Sequence, residues 1–471
     1  MKNPFLVVLI SLVSLSVRGA EQAEVEGAQR LFSAWLLGQM AYRGLPGIAV
    51  GVVHDQQLVW ARGFGFADAH KTLPIGPATK FRMASHSKLF TATAVMQLRD
   101  AGKLQLDDPV AKHLPWFRVQ RAEADDAVIT IGELLTHSSG LPREAGPHWS
   151  DYEFPDTAGV RKYVLEHAAA FPPEVRWKYS NLAFTLAGMI VEGVSGERFA
   201  DYVQRHIFEP LGMTSSSIDR PVDGLAVGFG RRMPDGSRAT MPFIDARAMA
   251  PATGVTSTVE DMAKFVSLQF RTGRPGGRQI LSTGALREMH RVRMLENNWT
   301  SGNAIGFAVT RARDNVYVGH GGSYPGYKTH TLIQLDDKVG VIVLTNGDDS
   351  NPSDLASHLM QIVGEAVAKS GASLPAAEAA KWDPSWGRFA GLYRSAGSDT
   401  VVVELNQRLV MIDPLTTAPE TQSRLIPAGN GLFRLEALTG GGPVGEMVRF
   451  REENGQVTRM YVGEGYSERV R

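Results

Sequence analysis

The sequence predicts an α/β (α+β) domain, an antiparallel sheet built around a helical insertion, followed by a small antiparallel β-barrel. Three observations carry that reading. Strand-like segments stand at both ends of residues 25–370, a helix-rich stretch lies between them, and past an Ala/Pro-rich segment the chain turns into short alternating runs.

In chain order, Met1 to Ala20 read "MKNPFLVVLISLVSLSVRGA", a lysine, an apolar run from Phe5 to Val17 and then small residues. That is the pattern of a secretory signal over 1–20, cut after Gly19 or Ala20, and the run is too short to span a bilayer comfortably. From Gly47, "GIAVGVVHDQQLVWARGFGFAD" reads as a hairpin, Ile48 to His54 and Leu58 to Gly65, whose two strands are expected at the sheet edge. "FRMASHSKLFTATAVMQLRDAG" reads as an amphipathic helix with Leu89, Ala92, Val95, Met96 and Arg99 on one face and Gly102 ending it. In "TIGELLTHSSGL" Thr130 and Glu133 form a capping box and Gly140 suits the left-handed stop; in "TSTVEDMAKFVSL" Ser257 or Thr258 is the cap. Strands return at Val316–His320, Tyr327–Leu335 and Val339–Thr345, and a helix over Ser353–Ser370 closes the domain. "SGASLPAAEAAKWDPS" marks a linker over 371–384. Residues 385–471 then carry strands at Thr400–Leu405, Arg408–Asp413, Leu432–Glu436, Met447–Arg451 and Val457–Val462, with Asn454-Gly455 as a hairpin turn.

Composition narrows the function. At 471 residues with 43% hydrophobic and 21% charged residues the chain is a folded protein of about two to four domains. Lys+Arg and Asp+Glu stand at 49 each, so no bulk attraction to nucleic acid or anionic membrane arises. Without cysteine there is no disulfide, thiolate nucleophile or cysteine metal site, and the 12 histidines show no His-Glu-x-x-His spacing, so neither metal nor cofactor is expected. The expected partner is a small molecule or short peptide. No integral membrane segment is expected in the mature chain, and oligomeric state is open.

The chemistry-bearing residues lie in three places. Ser85 and Lys88 put a hydroxyl and an amine three residues apart, on one face beside a helix N-terminus. Taken alone, the pair is equally a cap and a solvated lysine. "WKYSNLAF" places Tyr179 and Asn181 at the mouth of another apolar helix, and "VGHGGSYPGYKT" places His320, Gly321 and Gly322 at a strand end. A serine hydroxyl needs a base, and an unperturbed lysine of pKa ~10.4 is neutral in about one molecule in two or three thousand at pH 7. A shift of about 3 units, from burial and a positive helix end, makes Lys88 a competent base; Tyr179 is the other candidate.

In this order, Ser-x-x-Lys, Tyr-x-Asn and His-x-Gly resemble the serine β-lactamase and penicillin-binding-protein family, in its class C-like branch of DD-peptidases, D-aminopeptidases and related esterases. "LLTHSSGL", "FEPLGM" and "GVTSTVEDMAKF" are similar to segments of the same family. The resemblance implies the β-lactamase/DD-peptidase-like fold over residues 25–370, a lipocalin-like barrel after it, Ser85 as nucleophile, and Lys88 and Tyr179 in proton transfer. It also implies Asn181 orienting Lys88 and a substrate amide, and an oxyanion hole from the backbone amides of Ser85 and Ser323.

One departure narrows the substrate. Penicillin-hydrolysing members usually carry Lys-Thr-Gly where this chain has His320-Gly321-Gly322, so the clamp for a substrate carboxylate is weakened at two positions. The expectation is an exported, periplasmic or secreted serine hydrolase acting on D-peptides, small amides or esters. The alternatives are a β-lactamase or a penicillin-binding sensor without turnover. Trp149, Tyr152 and Phe154, in "GPHWSDYEFPDT", either roof the site or pin their loop to the body. "GVSGE" misses the Gly-x-Ser-x-Gly elbow and closes a helix, which argues against an α/β-hydrolase reading.

Overall fold

Unbroken apolar runs become the centre of an eight-stranded antiparallel sheet. A computed structural model describes residues 5–119, 128–272, 278–312, 315–370, 382–405, 407–419, 422–436 and 445–470. The sheet uses β1 (Gly47–His54), β2 (Gln57–Gly65), β3 (Met294–Leu295), β4 (Ser301–Asn303), β5 (Ala308–Ala312), β6 (Asn315–Tyr324), β7 (Tyr327–Gln334) and β8 (Val339–Thr345), in the spatial order β2-β1-β8-β7-β6-β5-β4-β3. Strands from both ends of the domain meet where Ile48 pairs with Thr345 and His54 with Val339. The hairpin exists, but β1 is no edge strand. It is flanked on both sides, which is why seven of its eight residues are buried and its sequence lacks polar alternation.

Strand β6 outruns its neighbour. Pairing with β5 starts at Gly319 opposite Ala308, so His320 to Tyr324 pair only with β7, from Thr331 back to Tyr327. Among the described residues no strand pairs with that stretch on its other side. An open backbone edge results.

Helix α2 (Ser87–Asp100) is buried around its whole circumference from Ser87 to Met96, so the amphipathic reading fails for its first ten residues. Its hydroxyls are satisfied locally, Thr93 Oγ1 donating to Leu89 O at 2.8 Å and Thr91 Oγ1 to Pro251 O at 2.7 Å. A helix surrounded by core needs no polar face. The capping box on α3 (Ile131–Thr136) is present in full, but the helix stops on His137, in the left-handed region at φ 60°, and not on Gly140. Gly140 is required for another reason: its φ is 68° and a Cβ there would sit 1.9 Å from Phe171 O. Helix α4 (Asn181–Ser195) is capped by Ser180, which accepts from Ala183 N at 2.9 Å, and ends on left-handed Gly196. Between Ser257 and Thr258, the cap of the helix Val259–Gln269 is Thr258.

The chain divides into two compact units, Leu45–Ala356 and a second that joins Met1–Gly44 to Ser357–Arg471. In the second, β9 (Gly391–Arg394), β10 (Asp399–Glu404), β11 (Leu409–Ile412), β12 (Ser423–Gly429), β13 (Leu432–Glu436), β14 (Met447–Glu453), β15 (Gln456–Val462) and β16 (Gly465–Arg469) form a closed barrel, sealed by Tyr393 pairing with Arg469. Asn454 and Gly455 turn between β14 and β15 with φ 53° and 75°, as a type I′ hairpin requires. Strands β9, β12 and β16 carry no clear sequence signal, being short and rich in Gly, Arg and Ser. Stacked and edge-on Phe389, Phe433 and Phe450 fill the interior. The N-terminal helix α1 (Phe5–Arg43) belongs to this unit: Trp35 Nε1 donates to Thr416 O at 2.8 Å, and a Cβ on Gly38 would lie 2.6 Å from Pro414. The expected linker lies outside the described residues over 371–381, and its end caps a short helix through Asp383. Among the described residues no helix is long and apolar enough to cross a membrane.

Candidate active site

Ser85 sits in a single tight turn, Ala84–His86, that runs into α2. The turn is strained: Ala84 holds φ 51°, a left-handed conformation costing an alanine ~1–3 kcal/mol. Its neighbours hold it there. Met83 N donates to Val255 O at 2.7 Å, and Ser87 Oγ donates to Ala84 O at 2.7 Å while accepting from Val255 N at 2.9 Å. Ser87 thus does the local backbone work, and no side chain caps α2. Ser85 Oγ is left to other partners.

Those partners are Lys88 and Tyr179. Lys88, 0% exposed and no solvated residue, places Nζ 3.1 Å from Ser85 Oγ, 2.7 Å from Asn181 Oδ1 and 3.0 Å from Ala252 O. Tyr179 OH donates to the same Ser85 Oγ at 2.8 Å. Burial pushes the Lys88 amine well below its usual range; Glu144 pulls it back up and Arg143 pushes it further down. Burial also pushes the Tyr179 phenol up, to about 12, against the lowering effect of its bond to Ser85. At neutral pH the tyrosine is therefore a protonated donor. Asn181 is buried and engaged on both sides, its oxygen by Lys88 and its Nδ2 by Glu144 Oε1 at 2.7 Å.

The sheet supplies the opposite wall. His320 lies on the face of β6 turned toward the Ser85 turn, its ring 6.1 Å from that of His86. Burial, then the Lys88 charge, pushes it down to about 3, so it is neutral at pH 7. His86 is held by Thr329 Oγ1 at 2.9 Å and Thr331 Oγ1 at 3.0 Å, and burial keeps it neutral too. Gly322 is required less for a substrate than for the fold, because a Cβ there would sit 2.3 Å from Met83 O. Gly321 has more room, its nearest neighbour being His330 Nδ1 at 3.2 Å. Ser323 is exposed on the open-edged part of β6.

Four of the sequence-predicted residues, Ser85, Lys88, Tyr179 and Asn181, form one hydrogen-bonded cluster. His320 and Gly322 face the nucleophile turn across from it, and Gly321 and Ser323 follow along the same strand. Sequence reasoning missed His137 and Glu144. The left-handed turn at His137 lets its Nδ1 accept from Ser180 N at 3.1 Å and sets its ring 4.3 Å from that of Tyr179. Glu144 sits between Asn181, Arg143 at 3.2 Å and His148 at 3.1 Å. Trp149 and Phe154 pack on Tyr324 with centroids 5.7 and 6.0 Å apart, so these two pin their loop, whereas Tyr152 is exposed.

This geometry has known counterparts. The Beta-lactamase family model matches residues 32–361. The chain belongs to the beta-lactamase family. To the family's domain the chain adds a closed barrel. Protein flp of Staphylococcus aureus (strain COL) is 24% identical over 321 residues, covering 67% of this chain and 62% of that protein, so the match spans about three-fifths of its length. Penicillin-binding protein 4* of Bacillus subtilis (strain 168) is 24% identical over 407 residues, 81% of this chain and 86% of that one. The octameric penicillin-binding protein homologue from Pyrococcus abyssi shares the fold with TM-score 0.64 at 24% identity, over 93% of this chain and 98% of its own.

Proposed function

We propose that this beta-lactamase-family chain is an exported hydrolase that forms an acyl-enzyme at Ser85 and resolves it with water, acting on small amides or short peptides with D-residues, or on esters. The observation that carries the reading is Ser85 Oγ lying between Lys88 Nζ at 3.1 Å and Tyr179 OH at 2.8 Å. A neutral Lys88 donates its two N–H bonds to Asn181 and Ala252 and turns its lone pair to the serine hydroxyl. Lys88 then takes the Ser85 proton as Oγ bonds to the carbonyl carbon. Tyr179, a donor with its pKa near 12, hands a proton to the departing amine or alcohol and is replenished from Lys88. The oxyanion is assigned to the backbone amides of Ser85 and Ser323, the latter on the open edge of β6.

The neutral wall formed by His320 and His86 favours substrates with no carboxylate at that end, such as amides and esters, over penicillins and D-alanyl-D-alanine. Export rests on the pattern of Met1 to Ala20, and N-terminal sequencing of secreted or periplasmic material tests it. For substrate class the test is a panel of nitrocefin, D-amino-acid amides, D-alanyl-D-alanine peptides and p-nitrophenyl esters. Turnover of amides or esters at least tenfold above nitrocefin is expected, and the reverse order makes the chain a β-lactamase.

A further inference from the structure

Glu144 is a carboxylate with no substrate-facing role in the account so far, yet it lies one hydrogen-bonded step from the base. Lys88 Nζ donates to Asn181 Oδ1 at 2.7 Å, and the other end of the same amide, Nδ2, donates to Glu144 Oε1 at 2.7 Å. The second oxygen, Oε2, is 3.1 Å from His148 Nε2. His148 is buried and its Nδ1 has no partner among the described residues, so its proton sits on Nε2, toward the carboxylate. The Glu144 side chain is 14% exposed. Each link in this relay fixes the next: a carboxylate accepts only, which forces Asn181 to present nitrogen to it and oxygen to Lys88.

We propose that Glu144 is a positioning residue: through Asn181 its negative charge orients the Lys88 amine and sets how tightly that amine holds its proton. The inference rests on Lys88 being the base for Ser85. Other groups facing the amine cannot substitute for this charge. His86, His137 and His320 are held neutral by burial, and Tyr179 is a neutral phenol. Arg143 acts in the opposite sense, its guanidinium 3.2 Å from Glu144 and 4.9 Å over the Tyr179 ring. Without a nearby anion, a fully buried lysine beside Arg143 would lose its proton well into the acid range.

The test is the pH dependence of Ser85 labelling by a fluorophosphonate, followed by intact-protein mass spectrometry, which needs no knowledge of the natural substrate. In the wild type the rate rises as Lys88 deprotonates. Glu144→Gln keeps the shape and removes the charge, so its acid limb should move down by about 1–2 pH units, as expected for losing a unit charge one hydrogen-bonded amide away at intermediate dielectric. Glu144→Asp should restore the limb toward its wild-type position. Arg143→Gln, at a side chain 63% exposed and safe for folding, should move it up, and keeps the test alive if Glu144→Gln fails to fold. An unmoved limb in a folded Glu144→Gln, or, where that variant fails to fold, in Arg143→Gln, overturns the proposal. So does a selective rise in KM for amine-bearing substrates with the limb in place, which makes Glu144 a substrate contact. Lys88→Ala separates the two readings: if it keeps the wild-type limb, the base assignment itself fails, whereas a limb lost in Lys88→Ala but unmoved by Glu144→Gln sinks only the role of Glu144.

Discussion

The unit that holds Ser85 and the barrel bury different things. Around Ser85 the protein buries Lys88, Asn181, His86 and, one strand before the nucleophile turn, Arg82, which is 1% exposed between Phe243 and Tyr324 and paired with Asp219 at 3.0 Å. Among the described residues the barrel core is apolar apart from one phenol, Tyr393, whose hydroxyl donates to Phe389 O at 2.7 Å. Buried polar groups cost free energy unless every one is met, so a fold that keeps them in one place and omits them in another separates chemistry from scaffolding.

The sharpest way to break that comparison is to remove the polar groups singly. Lys88→Ala and Tyr179→Phe should each lower turnover by about 100-fold or more, and the double variant should be far less than multiplicative if they share one proton path. Full additivity in kcat/KM would mean they act separately. Gly322→Ala comes next. A methyl group 2.3 Å from Met83 O must push β6 off the Ser85 turn, so labelling of Ser85 should slow by about tenfold or more while the barrel, read by its own unfolding transition, is unchanged.

Trp35→Ala is the matching experiment on the other side. Losing a 1% exposed tryptophan and its bond to Thr416 O should destabilise the barrel-bearing unit by about 3–5 kcal/mol, and Ser85 labelling should persist because Ser85, Lys88 and Tyr179 lie in the other unit. Loss of labelling in a protein still folded by circular dichroism would show that the division of labour is wrong.

The smallest expected effect is on acid stability. His320 and His330 have folded pKa values of about 3 and about 4, below the unfolded value of ~6.5, so the unfolded chain binds more protons. Stability is complete above about pH 6.5 and falls as pH drops toward about 3, and thermal unfolding should show a Tm decline over that window. His330→Gln should flatten the decline; an unchanged slope would mean His330 is not held neutral.

How much of this was legible in the sequence follows from distance along the chain. Ser85 with Lys88, and Tyr179 with Asn181, are near neighbours whose spacing sets which faces meet, and the helix caps at Thr130 and Thr258 are equally local. Three things were not legible. Whether β1 lies at an edge depends on a partner almost 300 residues away, and the N-terminal helix joins the barrel unit through single contacts such as Gly38 on Pro414. Glu144 meets Asn181 across 37 residues of chain, a contact that no local spacing announces.

The most direct test of the account is the covalent adduct itself. Wild-type protein treated with a fluorophosphonate or a labelled penicillin should gain one adduct mass, mapped by peptide analysis to the tryptic segment bearing Ser85, and Ser85→Ala should gain none. An undiminished adduct on Ser85→Ala, in a protein with wild-type circular dichroism, would contradict the central claim that Ser85 is the nucleophile.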